Sequence, residues 1–127
     1  MEKENIDKII NALKQQAELF LLNADEFYPF GTYINKKGAV IPVGAYFEND
    51  KTPSLEIIDL IEKAFNDHLQ KGDCKIAAIA IDVTVKENNE TYDAVEMRFF
   101  EVDKEVYKKY FKYEVKENTV QFFETPQ

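Results

Sequence analysis

A chain of 127 residues with a net charge of −8 can bury a core of its own, and its charge sign disfavours nucleic acid and anionic membrane surfaces as partners. Its one cysteine, Cys74, excludes an internal disulfide and a multi-cysteine metal site, and fits a reducing compartment. The charged start Met-Glu-Lys-Glu-Asn, with no apolar run near the ~20 residues that span a bilayer, completes the expectation of a single cytoplasmic domain over residues 1–127.

From residue 2 to about residue 23, Ile6, Ile9, Ile10, Leu13, Ala17, Phe20, Leu21 and Ala24 keep the spacing of one helical face. Glu2, Glu4 and Asp7 complement the helix dipole in the first turns. The spacing predicts an amphipathic helix. Its apolar run Leu19-Phe20-Leu21-Leu22 calls for enclosure by more than one neighbour, or for a partner protein. The densest aromatic patch follows, Phe27-Tyr28-Pro29-Phe30 and then Gly31. Pro29 holds Tyr28 extended, and Gly31 permits a tight bend or the close approach of another backbone. These aromatics read first as a plug at one end of the core. The second reading is a ligand-contacting corner in which Phe27, Tyr28, Phe30, Tyr33 and Tyr46 line a cavity.

Residues 32–34, a turn at 35–38 and residues 39 to about 46 read as a β-hairpin. Pro42 cannot donate to a ladder, which places the second strand at a sheet edge or breaks it there, and Gly44 weakens it further. Thr52-Pro53 supplies an N-cap and a proline at the first helical position. Leu55, Ile58, Ile61, Ala64, Phe65, His68 and Leu69 then form an apolar stripe, closed by Gly72 as a C-terminal cap. His68 has no histidine or cysteine partner at a ligand spacing and reads as structural. Cys74 reads as a small, partly buried side chain rather than a nucleophile.

Residues 76–85 are the most strand-like stretch and the expected centre of the sheet, with Ile79, Ile81, Val83 and Val85 on one face and Ala78, Ala80, Asp82 and Thr84 on the other. That contrast predicts a sheet covered on one side only. After a turn at 86–90, residues 91 to about 101 form a second strand, residues 106–115 a third and residues 119–123 a fourth. Matching the apolar alternation sets Ile79 opposite Met97, Ile81 opposite Val95, Met97 opposite Phe111, Val120 opposite Val115 and Phe122 opposite Tyr113. In that register Asp82, Tyr92, Glu96, Arg98, Tyr110 and Lys112 share an open face with opposite charges paired across strands.

The fold expected is α+β and two-layer: a mainly antiparallel sheet of five to six strands with two amphipathic helices on one face, in the order α-β-β-α-β-β-β-β. The order is similar to that of roadblock or profilin-like domains and, more weakly, of cone-shaped sheets of the nuclear-transport-factor type; topology alone grants no function. The segment Glu26-Phe27-Tyr28-Pro29-Phe30-Gly31, followed by Gly38, Val40, Pro42 and Val43, then Ala45-Tyr46, a helix and Ala77-Ala-Ile-Ala-Ile-Asp-Val83, resembles a family of small bacterial proteins over about three quarters of the chain. That family has no established activity, so the resemblance implies a bacterial cytosolic origin and supplies no catalytic residue.

The four glycines are scattered, leaving no phosphate loop, and the only serine, Ser54, shares a helix with the only histidine. Asp82 with Glu96 is the one carboxylate pair a metal could use, and Arg98 and Lys112 neutralise it more simply. No catalytic residue, metal or cofactor is expected. Two function classes follow. One is a protein-interaction module: a small acidic adaptor, chaperone-like subunit or toxin-neutralising protein, homodimeric or bound to another protein. The other is a small-molecule-binding protein or enzyme with an aromatic-lined cavity. The shortage of bases and nucleophiles favours the first.

Overall fold

A computed structural model describes residues 2–24, 26–44 and 54–124. Its organising feature is the turn between β3 (Cys74–Glu87) and β4 (Glu90–Glu101). Asn88 and Asn89 both take positive φ, 52° and 67°, the backbone of a two-residue hairpin turn whose twist matches its strands. Glu87 therefore pairs with Glu90, and the ladder runs on to Ile81 opposite Glu96 and Ile79 opposite Arg98.

This corrects the expected register of Ile79 with Met97 and Ile81 with Val95. That register requires an odd number of turn residues, and apolar matching alone could not see that the asparagine pair fixes an even one. A slip of one residue exchanges faces. Ala78 and Ala80 now lie opposite Phe99 and Met97, while Ile79 and Ile81 share a face with Arg98, Glu96 and Phe100. Each face carries apolar surface and needs cover.

Two helices supply it. α1 (Glu2–Ala24) buries Ile9, Leu13, Ala17 and Leu21 against Ile76, Ala78, Ala80, Val95, Met97 and Phe99. α2 (Ser54–Lys71) buries Ile57, Ile58, Ile61, Phe65 and Leu69 against Ala77, Ile79, Ile81 and Phe100. Alternate residues of β3 thus face different helices. The α+β class, the element order and the antiparallel sheet are as the sequence predicts; the helices differ in forming helix-on-sheet layers on opposite faces rather than sharing one. Each large apolar side chain buried this way contributes roughly 1.5–3 kcal/mol before the entropy of ordering it is subtracted.

The six strands among the described residues all pair antiparallel, in the order β2-β1-β3-β4-β5-β6. β1 (Phe30–Asn35) lies between β3 and β2 (Val40–Val43), so Pro42 falls on the edge strand, where its missing donor costs no ladder bond. The hairpin turn is tied by the Asn35 side chain, which accepts the N–H groups of Lys37 and Ala39. Gly31 is a close approach: a Cβ there would lie 2.6 Å from Cζ of Phe65 and 2.9 Å from the Ala78 carbonyl oxygen. Gly72, at φ 78°, ends α2 as expected, with the Asp73 N–H donating to the His68 carbonyl.

β5 (Tyr107–Val115) pairs with β4 two residues from the expected register, Val95 opposite Phe111, which leaves the faces unchanged. β6 (Val120–Glu124) pairs as expected, Val120 with Val115 and Phe122 with Tyr113. Glu18 of α1 anchors its start, accepting from the Val120 N–H at 2.9 Å and the Thr119 hydroxyl at 3.0 Å; these donors hold its carboxyl below the usual range.

Enclosure of the end of α1 is not found among the described residues, because Leu19, Phe20 and Leu22 are all exposed, Leu19 at 63 %. On α2, Leu55 and Ala64 lie outside the buried stripe and Ile57 lies inside it. The Thr52-Pro53 cap and the strand expected beyond Gly44 lie outside the described residues. No helix among those residues is long and apolar enough to cross a membrane.

Candidate functional site

The register divides the residues that chemistry singles out between two places. On the α2 face, Tyr92, Glu96, Arg98, Tyr110 and Lys112 lie together, as the sequence suggested. Asp82 does not join them: it pairs opposite Val95 and points to the α1 face. A metal shared between Asp82 and Glu96 is thereby removed, and among the described residues no group of three or more His, Cys, Asp or Glu could hold one.

The five that remain form a strip beside α2. Buried Glu96 accepts from Arg98 at 2.8 Å and 3.2 Å and from the Tyr110 hydroxyl at 3.0 Å, with the Lys108 ammonium at 4.0 Å. Lys112 lies over the ring of Tyr92 at 5.5 Å and that of Phe123 at 6.0 Å. The cluster under α2 draws on β3 and on Phe100 of β4 and takes no residue from β5 or β6. Arg98, Lys108 and Lys112 therefore stand with aromatic rings on this half of the face, in company with Glu96, with Glu87, which accepts from the Tyr92 hydroxyl, and with Glu114 on the same side of β5.

The second place is the aromatic corner. Phe27 and Phe30 are buried and meet edge to face at 5.4 Å, and Phe20 of α1 adds a further edge contact to Phe30 at 5.3 Å. Tyr28 is 59 % exposed. Together they line a cleft of about 670 Å³, within the usual range for a small-molecule site. Asp82 and Glu26 also line it. Phe20 and Asp82 were not legible as members: Phe20 fits a helical core stripe, and Asp82 interrupts an apolar strand without showing which face it takes. Tyr33 lies across the sheet, stacked on His68 at 5.0 Å and edge-on to Phe65. Tyr46 lies outside the described residues.

Searches against protein-family models, curated proteins and solved structures return no match.

The chemistry of the corner turns on Asp82. Its Oδ1 accepts from the Tyr113 hydroxyl at 2.8 Å and its Oδ2 from the Phe27 N–H at 3.4 Å. Burial pushes its carboxyl above the usual range; the two hydrogen bonds pull the other way, and the charges of Asp93 and Glu26 add to the rise. Burial, with the bond to Asp82, likewise raises the Tyr113 hydroxyl far above its ordinary range. Elsewhere, buried Cys74 is a free thiol whose pKa burial pushes up to about 11, with Asp73 adding to it, which leaves little thiolate at neutral pH. His68 lies 3.4 Å from Asp73 through Nδ1, at the cap of α2 and away from both places.

Proposed function

We propose that this chain is a protein-interaction module whose docking surface is the strip of Tyr92, Arg98, Lys108, Tyr110, Lys112 and Phe123. The observation that carries the proposal is the half-covered sheet face: α2 covers its β3 side, and its β5–β6 side presents cations and aromatic rings in a chain of net charge −8. Aromatic residues and arginine with a polar rim make up the interiors of protein interfaces. Glu96 neutralises Arg98 and draws on Lys108, so it is Lys112 among its rings that favours a partner presenting carboxylates. A second copy docked strip against strip would oppose lysines, so a foreign acidic protein suits the strip better than a two-fold homodimer.

Lys112→Glu with Phe123→Ser tests this reading. Arg98 is not a suitable target, because it pairs a buried Glu96 and its reversal would leave that carboxylate uncompensated. The expected result is a protein retained from native lysate by the wild type and lost by the double variant, with the wild type monomeric on dilution in light scattering. Identical retention by both would move the interface elsewhere, and a concentration-dependent dimer lost in the variant would make the partner a second copy.

The cleft supports a second reading, a small-molecule-binding protein, because a half-buried carboxylate stands among aromatic rings in a concave site.

A further inference from the structure

Among the described residues, Asp82 has hydrogen-bond donors but no counter-charge. Its carboxylate is half-buried, it accepts one short and one long hydrogen bond, and the charges of described residues that act on it, Asp93 and Glu26, are of its own sign. Among the described residues no lysine or arginine lines the cleft. A carboxylate removed from water is stabilised by a counter-charge, and elsewhere in this chain one is provided: buried Glu96 has Arg98. The rings of Phe20, Phe27, Tyr28 and Phe30 line the cleft with Asp82.

We infer that the cleft binds a small organic ammonium, its cation against Asp82 with Glu26 at the lip and its carbon skeleton among the aromatic rings. A cation over aromatic faces gains from their quadrupoles, most where water is excluded, and a carboxylate at the floor adds an ion pair with directed N–H donors. An inorganic ion fits less well, since two carboxylates and a ring of aromatics offer too few oxygen ligands. An anionic ligand would meet two like charges. The inference deepens the small-molecule reading and is independent of the strip on the other face of the sheet.

The test uses three probes of one shape and different charge: benzylammonium, benzyl alcohol and benzoate, titrated into the intact protein by calorimetry and followed by amide NMR shifts. Benzylammonium is expected to bind saturably with a dissociation constant below about 1 mM, shifting the Phe27 amide. Benzyl alcohol should bind at least about tenfold more weakly, and benzoate should not bind. Asp82→Asn should cost the cation about tenfold or more, and Glu26→Gln, on an exposed residue, a smaller factor. Equal binding of benzylammonium and benzyl alcohol would overturn the ammonium inference while leaving the pocket reading in place. No saturation by about 10 mM for either would overturn both. Should Asp82→Asn fail to fold, unchanged affinity in Glu26→Gln together with an unmoved Phe27 amide would overturn the inference.

Discussion

Gly31 shows how little room the packing leaves at single positions. An added methyl would meet the Phe65 ring and, less yieldingly, the backbone oxygen of Ala78. Gly31→Ala is therefore expected to destabilise by about 1–3 kcal/mol, read as a lower midpoint in urea with an unchanged slope. Asp82 makes a second test at this scale. A carboxyl held above its unfolded value, ordinarily about 3.9, contributes stability that is fully present below that value and is lost as pH rises through the folded one. Asp82→Asn keeps an acceptor for Tyr113 and removes the titration. The stability of the variant relative to wild type should then rise as pH increases from the unfolded carboxylate range, and level off once Asp82 is ionised in the native protein. A difference independent of pH would show that Asp82 is not held as described. From the sequence, Gly31 was legible as a tight bend or a close approach, and the structure shows the second; Asp82 was expected on an open face with Glu96 and lies on the face that α1 covers, because the register that carried that expectation was one residue out.

At the level of elements, local signals carried well. The four-residue recurrence of Ile9, Leu13, Ala17 and Leu21 placed α1, Gly72 closed α2 and Pro42 marked an edge. The misreading came from one turn. Asn88 and Asn89 in left-handed backbone fix the pairing of Glu87 with Glu90, and every facing assignment in β3 and β4 follows from that pair. Replacing both by valine should cost about 1–2 kcal/mol per residue, since a β-branched side chain resists positive φ. Asn89→Gly should be neutral or stabilising. Thermal melts of the two variants check this, and a valine pair that melts with the wild type would mean that strand packing, not the turn, holds the register. The end of α1 taught the opposite lesson: Leu19, Phe20 and Leu22 are apolar yet exposed, because periodicity reports what a helix could bury and not what neighbours reach it.

For the whole molecule, two cores share one sheet. Alternate residues of β3 belong to the α1 cluster and the α2 cluster, so neither helix can leave without exposing the strand that the other packs on. Leu13→Ala and Ile61→Ala are each expected to cost about 2–5 kcal/mol. Because their side chains lie on opposite faces, the costs should add within about 0.5 kcal/mol. Unfolding should remain one transition by both near-UV and far-UV circular dichroism. Two separated transitions would show that the clusters melt independently. The sequence by itself determined the helices and strands, the α+β class, a mainly antiparallel sheet and the exclusion of Pro42 from a continuous inner strand, because helical and strand periods, caps and proline act within a few residues. The tertiary structure alone decided which face of β3 goes with which face of β4, and with it the separation of the helices, the place of the strip beside α2 and the aromatic cleft around Asp82. A strand apolar on both sides gives no local preference between faces. That choice was made by the two-residue turn at Asn88 and Asn89 and by the need to cover both faces of β3 at once.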